Sequence, residues 1–78
     1  MQVVYPPVFV DRASGIGIAV VQLPRGWTSL LTDPDGNALP GAEHSEFRGD
    51  STAAFMDGAG RLEAVKALLR GRKQRKRT

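Results

Sequence analysis

The chain has 78 residues, 41% of them hydrophobic, with a formal net charge of +3 and no cysteine. That length holds one small domain, the apolar fraction is too high for a disordered chain, and the missing thiols exclude disulfide staples and thiolate metal sites. The start, MQVVYPPVF, has no basic n-region, and the longest apolar stretch, Ile16 to Val21, is far short of the roughly 20 residues of a membrane helix, so a cytoplasmic protein without membrane contact is expected.

Pro6 and Pro7 cannot donate ladder hydrogen bonds, which places the N-terminal segment at a sheet edge, with a short strand at Val8 to Val10. IGIAVVQL, residues 16–23, alternates with Ile16, Ile18 and Val20 on one face and Gly17, Ala19, Val21 and Leu23 on the other. Both faces are apolar, so this strand is predicted to be central. Gly17 and Ala19 leave room for a helix to approach, and that face is the one a helix is expected to cover. Pro24 to Gly26 turns the chain, WTSLLT (27–32) forms a third strand, and DPDGN (33–37) has proline and glycine at the corners of a hairpin turn. A weaker return strand is expected near residues 42–48, after the interruption at Pro40 and Gly41.

From Asp50 the period changes. Phe55, Ala59, Leu62, Val65 and Leu69 recur every three or four residues and mark one face of a helix. Asp50 or Ser51 can cap its start, and Gly71 suits the C′ position. Gly58 and Gly60 each cost about 1 kcal/mol relative to alanine inside a helix, so one continuous helix and two short ones are both open. The fold class that follows is α+β: a three- to four-stranded antiparallel sheet with one C-terminal helix packed on one face, residues 1–70 as a single domain and 71–78 as a basic disordered tail. With the helix on the Gly17 face, Ile16, Ile18 and Val20 need a second cover. A small domain buries only about 60% of its unfolded surface, so a homodimer through that face, with Trp27 beside it, is the expected source of burial.

The net charge averages two unlike parts. Up to Leu69, five bases stand against eight acids, a net of −3, while Arg70, Arg72, Lys73, Arg75, Lys76 and Arg77 crowd into the last nine residues. A fold that grips nucleic acid across its surface carries a basic stripe on the folded part; this body carries none. Other chemistries find little support. Asp33, Asp35 and Asn37 have the 1-3-5 spacing of a calcium loop, but its sixth position is Ala38 and its twelfth is His44, where glycine and a bidentate Glu are required. Gly15 and Gly17 begin a GxGxxG, yet Val20 follows and no helix does. His44 is the single histidine, and the adjacent Glu43 and Glu46 do not converge with it from a strand, so no metal site, cofactor or catalytic pair is expected. Arg48-Gly49-Asp50 spells an adhesion tripeptide, but a turn and helix cap account for it.

YPPVF, QLPRGWT and GDST before a helix are similar in outline to the HicB antitoxin pattern, in which a tyrosine-proline strand leads to a Leu-Pro-Gly turn and a Gly-Asp-Thr helix start. Arg25 interrupts that turn here, and the DPDGN hairpin lies before GDST. WTSLLTDPDG followed by Phe47 and a helix resembles three-stranded DNA-binding domains such as integrase arms, which read DNA with arginines on the sheet; between Trp27 and Phe47 there is no Arg or Lys. Neither resemblance assigns a role to a residue. The expectation is therefore a non-enzymatic binding protein that contacts nucleic acid without sequence preference through the six basic C-terminal residues. The rival is a protein–protein module, antitoxin-like or inhibitory, that uses the acidic body and the face of Ile16, Ile18, Val20 and Trp27.

Overall fold

The computed structural model describes residues 3–40 and 43–75, the last five as backbone. Three strands, β1 (Phe9–Asp11), β2 (Ile16–Leu23) and β3 (Gly26–Thr32), form an antiparallel sheet in the order β1-β2-β3, followed by one helix, α1 (Ser51–Arg75). β2 is central, as its two apolar faces predict. Ile18 lies opposite Phe9 on one side and Leu31 on the other, and because paired residues point to the same face, Phe9, Ile16, Ile18, Val20, Ser29 and Leu31 share one surface. Val10, Gly17, Ala19, Val21, Thr28, Leu30 and Thr32 share the other.

The helix covers the first of these faces, and this corrects the sequence expectation. Ile16, Ile18 and Leu31 form the core with Leu62 of α1, and Phe55, Ala59 and Val65 of the same helix pack around them. Gly58 is the reason α1 can lie so close: a Cβ there would come within 2.7 Å of Ile18 Cγ2 and 2.9 Å of Ser29 Oγ. The small residues on β2 mark a different approach. A Cβ on Gly17 would meet Pro7 at 2.8 Å, so the N-terminal segment, not the helix, crosses the Gly17/Ala19 face. Ile16 and Ile18 are 8% and 1% exposed beneath the chain's own helix. The expectation that they and Val20 await a second subunit therefore loses its basis, as does the homodimer built on it.

α1 lies over β2 and β3 and reaches β1 through side chains alone. Phe9 meets Phe55 edge to face with ring centroids 6.4 Å apart, and Lys66 Nζ stands 3.4 Å from Asp11 Oδ1. The helix is continuous through Gly58 and Gly60. Asp50 caps it, its Oδ1 accepting the Ala53 N–H at 2.7 Å. It also runs through Gly71 to Arg75, so Gly71 is not the C′ residue. A helix of that length extends roughly 37 Å against roughly 27 Å for β2; beyond Lys66 it overhangs the sheet, with Leu68 and Leu69 exposed.

The predicted return strand is absent among the described residues. The segment 43–48 instead forms an irregular edge beside β3. Trp27 and Arg48 exchange both backbone hydrogen bonds, at 2.7 and 2.8 Å, a register that would set Ser29 opposite Glu46. Ser45 arrives there instead: its N–H donates to the Ser29 carbonyl at 2.8 Å, and its Oγ accepts the Ser29 N–H at 2.9 Å. One extra residue is accommodated, as in a β-bulge, and a hydroxyl replaces the missing backbone acceptor. The arrangement shields the β3 edge from pairing with another chain. Gly26, at φ 133°, opens β3 where a Cβ would stand 2.6 Å from the Arg48 carbonyl; both conformation and contact require glycine.

Candidate functional site

Two regions compete for the role. The first is the far end of α1. Arg70 is exposed on the helical overhang, positions 72, 73 and 75 continue the same helical backbone, and Lys76 and Arg77 lie outside the described residues. Along the described side chains of this stretch, Leu68 is 70% exposed and Leu69 44% exposed, so the packing of α1 on the sheet weakens before the basic residues begin.

The second region is the open part of the sheet. The N-terminal segment covers the Gly17/Thr32 end of that face, anchored by the Tyr5 N–H donating to the Gly36 carbonyl at 2.7 Å. The other end stays open as a cleft of about 560 Å³ lined by Tyr5, Val21, Leu23, Thr28, Leu30, Glu43 and His44. Its floor is aliphatic, with Leu23 44% exposed. Its outer wall is the edge segment, where His44 and Phe47 rings stand 5.2 Å apart and the Arg25 guanidinium lies 5.9 Å from the Phe47 centroid.

The polar groups beside this cleft form a closed network. Thr28 Oγ1 donates to the Ser45 carbonyl at 2.7 Å, and the Ser29 hydroxyl donates to Ser45 Oγ at 3.0 Å. His44 Nδ1 is 2.8 Å from the same carbonyl. A carbonyl only accepts, so Nδ1 carries the hydrogen and Nε2 is left as the acceptor of the neutral ring. Thr28 Oγ1, 3.5 Å from Nδ1, therefore faces a donor and not a base, and no histidine-activated nucleophile is assembled here. Among the described residues every buried side-chain nitrogen and oxygen has a partner, and no three His, Asp or Glu side chains gather as a metal site.

Electrostatics divide along the same lines. Arg48 is committed to Asp57 through Nε at 2.8 Å and a second bond at 3.1 Å, which holds the Asp57 carboxyl below its ordinary range. Asp11 is lowered chiefly by the Ser14 hydroxyl and N–H and then by Lys66, and Asp33 chiefly by the Asn37 N–H and side-chain amide within the DPDGN turn. Those carboxylates are structural. By contrast, Arg25 and Arg61 form no ion pair among the described residues. Both touch the edge segment, Arg25 over Phe47 and Arg61 through a hydrogen bond to the Glu43 carbonyl.

Of the four residues expected at a protein interface, Ile16 and Ile18 are buried, and Val20 and Trp27 are half-buried on the helix-covered face. The cleft on the opposite face is what sequence reading missed, because its walls come from residues 5, 21–30 and 43–44 and show no local motif. No helix is long and apolar enough to cross a membrane among the described residues. Comparison with known proteins finds no family model, no curated protein and no solved structure that matches this chain.

Proposed function

We propose that this is a non-enzymatic binding protein that contacts nucleic acid without sequence preference through the basic end of α1. The observation that supports it is the charge division along α1: the helical backbone continues from Lys66, which pairs with Asp11 of β1, to Arg75, and six bases fall at residues 70–77, while the body below is net anionic. Arg70, Arg72, Lys73, Arg75, Lys76 and Arg77 act as phosphate counter-charges; there is no aromatic among them for base stacking. If all six engage B-DNA, the logarithm of the binding constant falls with the logarithm of salt at a slope near −5. Deleting residues 71–78 removes five of these charges. Retention on duplex DNA at low salt is then expected to fall to background, and unchanged retention ends the proposal. Of the surface assigned to the rival protein-binding module, Ile16 and Ile18 lie under α1, while Val20 and Trp27 are half-buried and the acidic body remains.

A further inference from the structure

The cleft on the open sheet face points to a ligand more specific than a phosphate backbone. Its volume, about 560 Å³, falls within the roughly 300–1,000 Å³ of small-molecule sites. Its floor of Val21, Leu23 and Leu30 suits a flat apolar surface, and the rings of Tyr5 and His44 stand among its lining residues. Among the described residues, the polar groups of the lining that remain uncommitted are two acceptors, His44 Nε2 and the Glu43 carboxylate, and the Tyr5 hydroxyl, which can donate or accept. Glu43 repels a phosphate from the cleft itself, whereas Arg25, stacked on Phe47 at the rim, forms no ion pair among the described residues; Arg61, bonded to the Glu43 carbonyl, also acts on the Asp57 carboxylate. A ligand that matches this pattern has a planar ring bearing N–H donors and an anionic group attached outside it.

We propose that the cleft receives an unpaired nucleobase of a single strand, with its ring against Val21 and Leu30 beside Tyr5 and His44, its donors toward His44 Nε2 and Glu43, and its phosphate toward Arg25. This rests on the nucleic-acid reading above and adds a preference to it. A base inside a duplex exposes neither its faces nor its pairing edge, so the cleft discriminates for single strands, while the end of α1 does not. Base–aromatic stacking supplies a factor of about 5 to 140 per base.

The test uses the full chain, labelled oligoadenine, whose exocyclic amine carries two N–H donors, and the same strand annealed to oligouridine, with affinities read by fluorescence anisotropy at fixed low salt. The intact protein is expected to bind the single strand about tenfold more tightly than the duplex. His44→Ala and Tyr5→Leu, the second keeping apolar bulk where Tyr5→Ala could unfold the N-terminal segment, are expected to erase that preference and leave duplex binding unchanged. Deleting residues 71–78 is expected to weaken both forms alike. Equal affinity for the two forms in the intact protein, or an unchanged preference in both cleft variants, overturns the cleft assignment and leaves the helix-end reading standing. A preserved single-strand preference in the truncated chain, with no loss of affinity, removes the helix-end reading and leaves the cleft. No binding by any form removes both. As an independent readout, adenosine monophosphate is expected to shift the backbone amide resonances of Val21, Thr28 and Leu30; shifts confined to α1 overturn the assignment. So does a concentration-dependent dimer abolished by His44→Ala, which would mean that a second copy fills the cleft.

Discussion

Leu62 and Leu23 are the same side chain applied to opposite faces of one sheet. Leu62 on α1 is 4% exposed against Ile16, Ile18 and Leu31, while Leu23 at the end of β2 is 44% exposed beside the cleft. The covered face has bulky branched residues at its centre and a helix pressed onto them. The open face has Gly17 beneath Pro7 and then, among the described residues, a cleft walled by Tyr5 and the edge segment in place of a helix. Stability therefore belongs mainly to one side of the sheet, and the other is free for recognition. Truncation should expose that division most sharply. Leu62→Ala is expected to destabilise by about 2–5 kcal/mol through lost burial and a cavity, whereas Leu23→Ala is expected to stay within about 0.5 kcal/mol, like other surface substitutions. Urea denaturation of both variants checks this, and similar losses would mean that the open face is packed in solution.

The two helix glycines refine the same contrast on a smaller scale. Gly58 faces the sheet, where a Cβ would stand 2.7 Å from Ile18 Cγ2 and 3.1 Å from Ser29 Cβ, and Gly60 has no such neighbour within 4 Å. Alanine gains about 1 kcal/mol of helix propensity at either position. At Gly58 the gain is outweighed, because Ile18 and Ser29 are each 1% exposed and cannot yield; overpacking of this kind costs about 1–3 kcal/mol. Gly58→Ala is thus expected to lower the melting temperature and Gly60→Ala to raise it. Two shifts of the same sign would show that α1 does not lie as close to the sheet as described.

Much of this fold was legible before any coordinates. The alternation of IGIAVVQL placed the central strand at residues 16–23, and the change of period after Asp50 placed the helix, because each pattern is local. The side of the sheet taken by the helix was not legible. Both faces of β2 are apolar, and a small residue marks a close approach without saying what approaches; Gly17 makes room for Pro7, and Gly58 is the glycine that admits the helix. The edge at Ser45 was hidden for a related reason, since a side-chain hydroxyl standing in for a backbone acceptor leaves no periodic trace. The basic cluster was plain in the sequence, and the helical backbone through Gly71 was not, because glycine there reads as a stop.

The smallest expected effect concerns how the covered side is fastened. Asp11 on β1 meets Lys66 of α1, and Asp57 of α1 meets Arg48 of the edge segment, so two carboxylates tie the helix at well-separated points along its length. A third, Asp33, holds the turn after β3 by accepting from the Asp35 and Asn37 N–H groups, both at 2.9 Å. All three are held below the ordinary carboxylate value of 3.8, Asp11 by Ser14 before Lys66, Asp33 by Asn37, and Asp57 by Arg48. A depressed folded-state pKa means that the unfolded chain binds more protons in this range, so stability rises with pH. The contribution is complete above about 4 and is lost as pH falls through the lowered folded values. The melting temperature should therefore decline below pH 4, and Asp11→Asn, Asp33→Asn and Asp57→Asn should each flatten that decline while lowering the plateau above it. Because the Arg48–Asp57 pair is solvent-exposed, its share should shrink in high salt, whereas the Asp33 share, made of hydrogen bonds within a turn, should persist. An acid profile left unchanged by all three substitutions would mean that these carboxylates are not what fastens the helix and the turn.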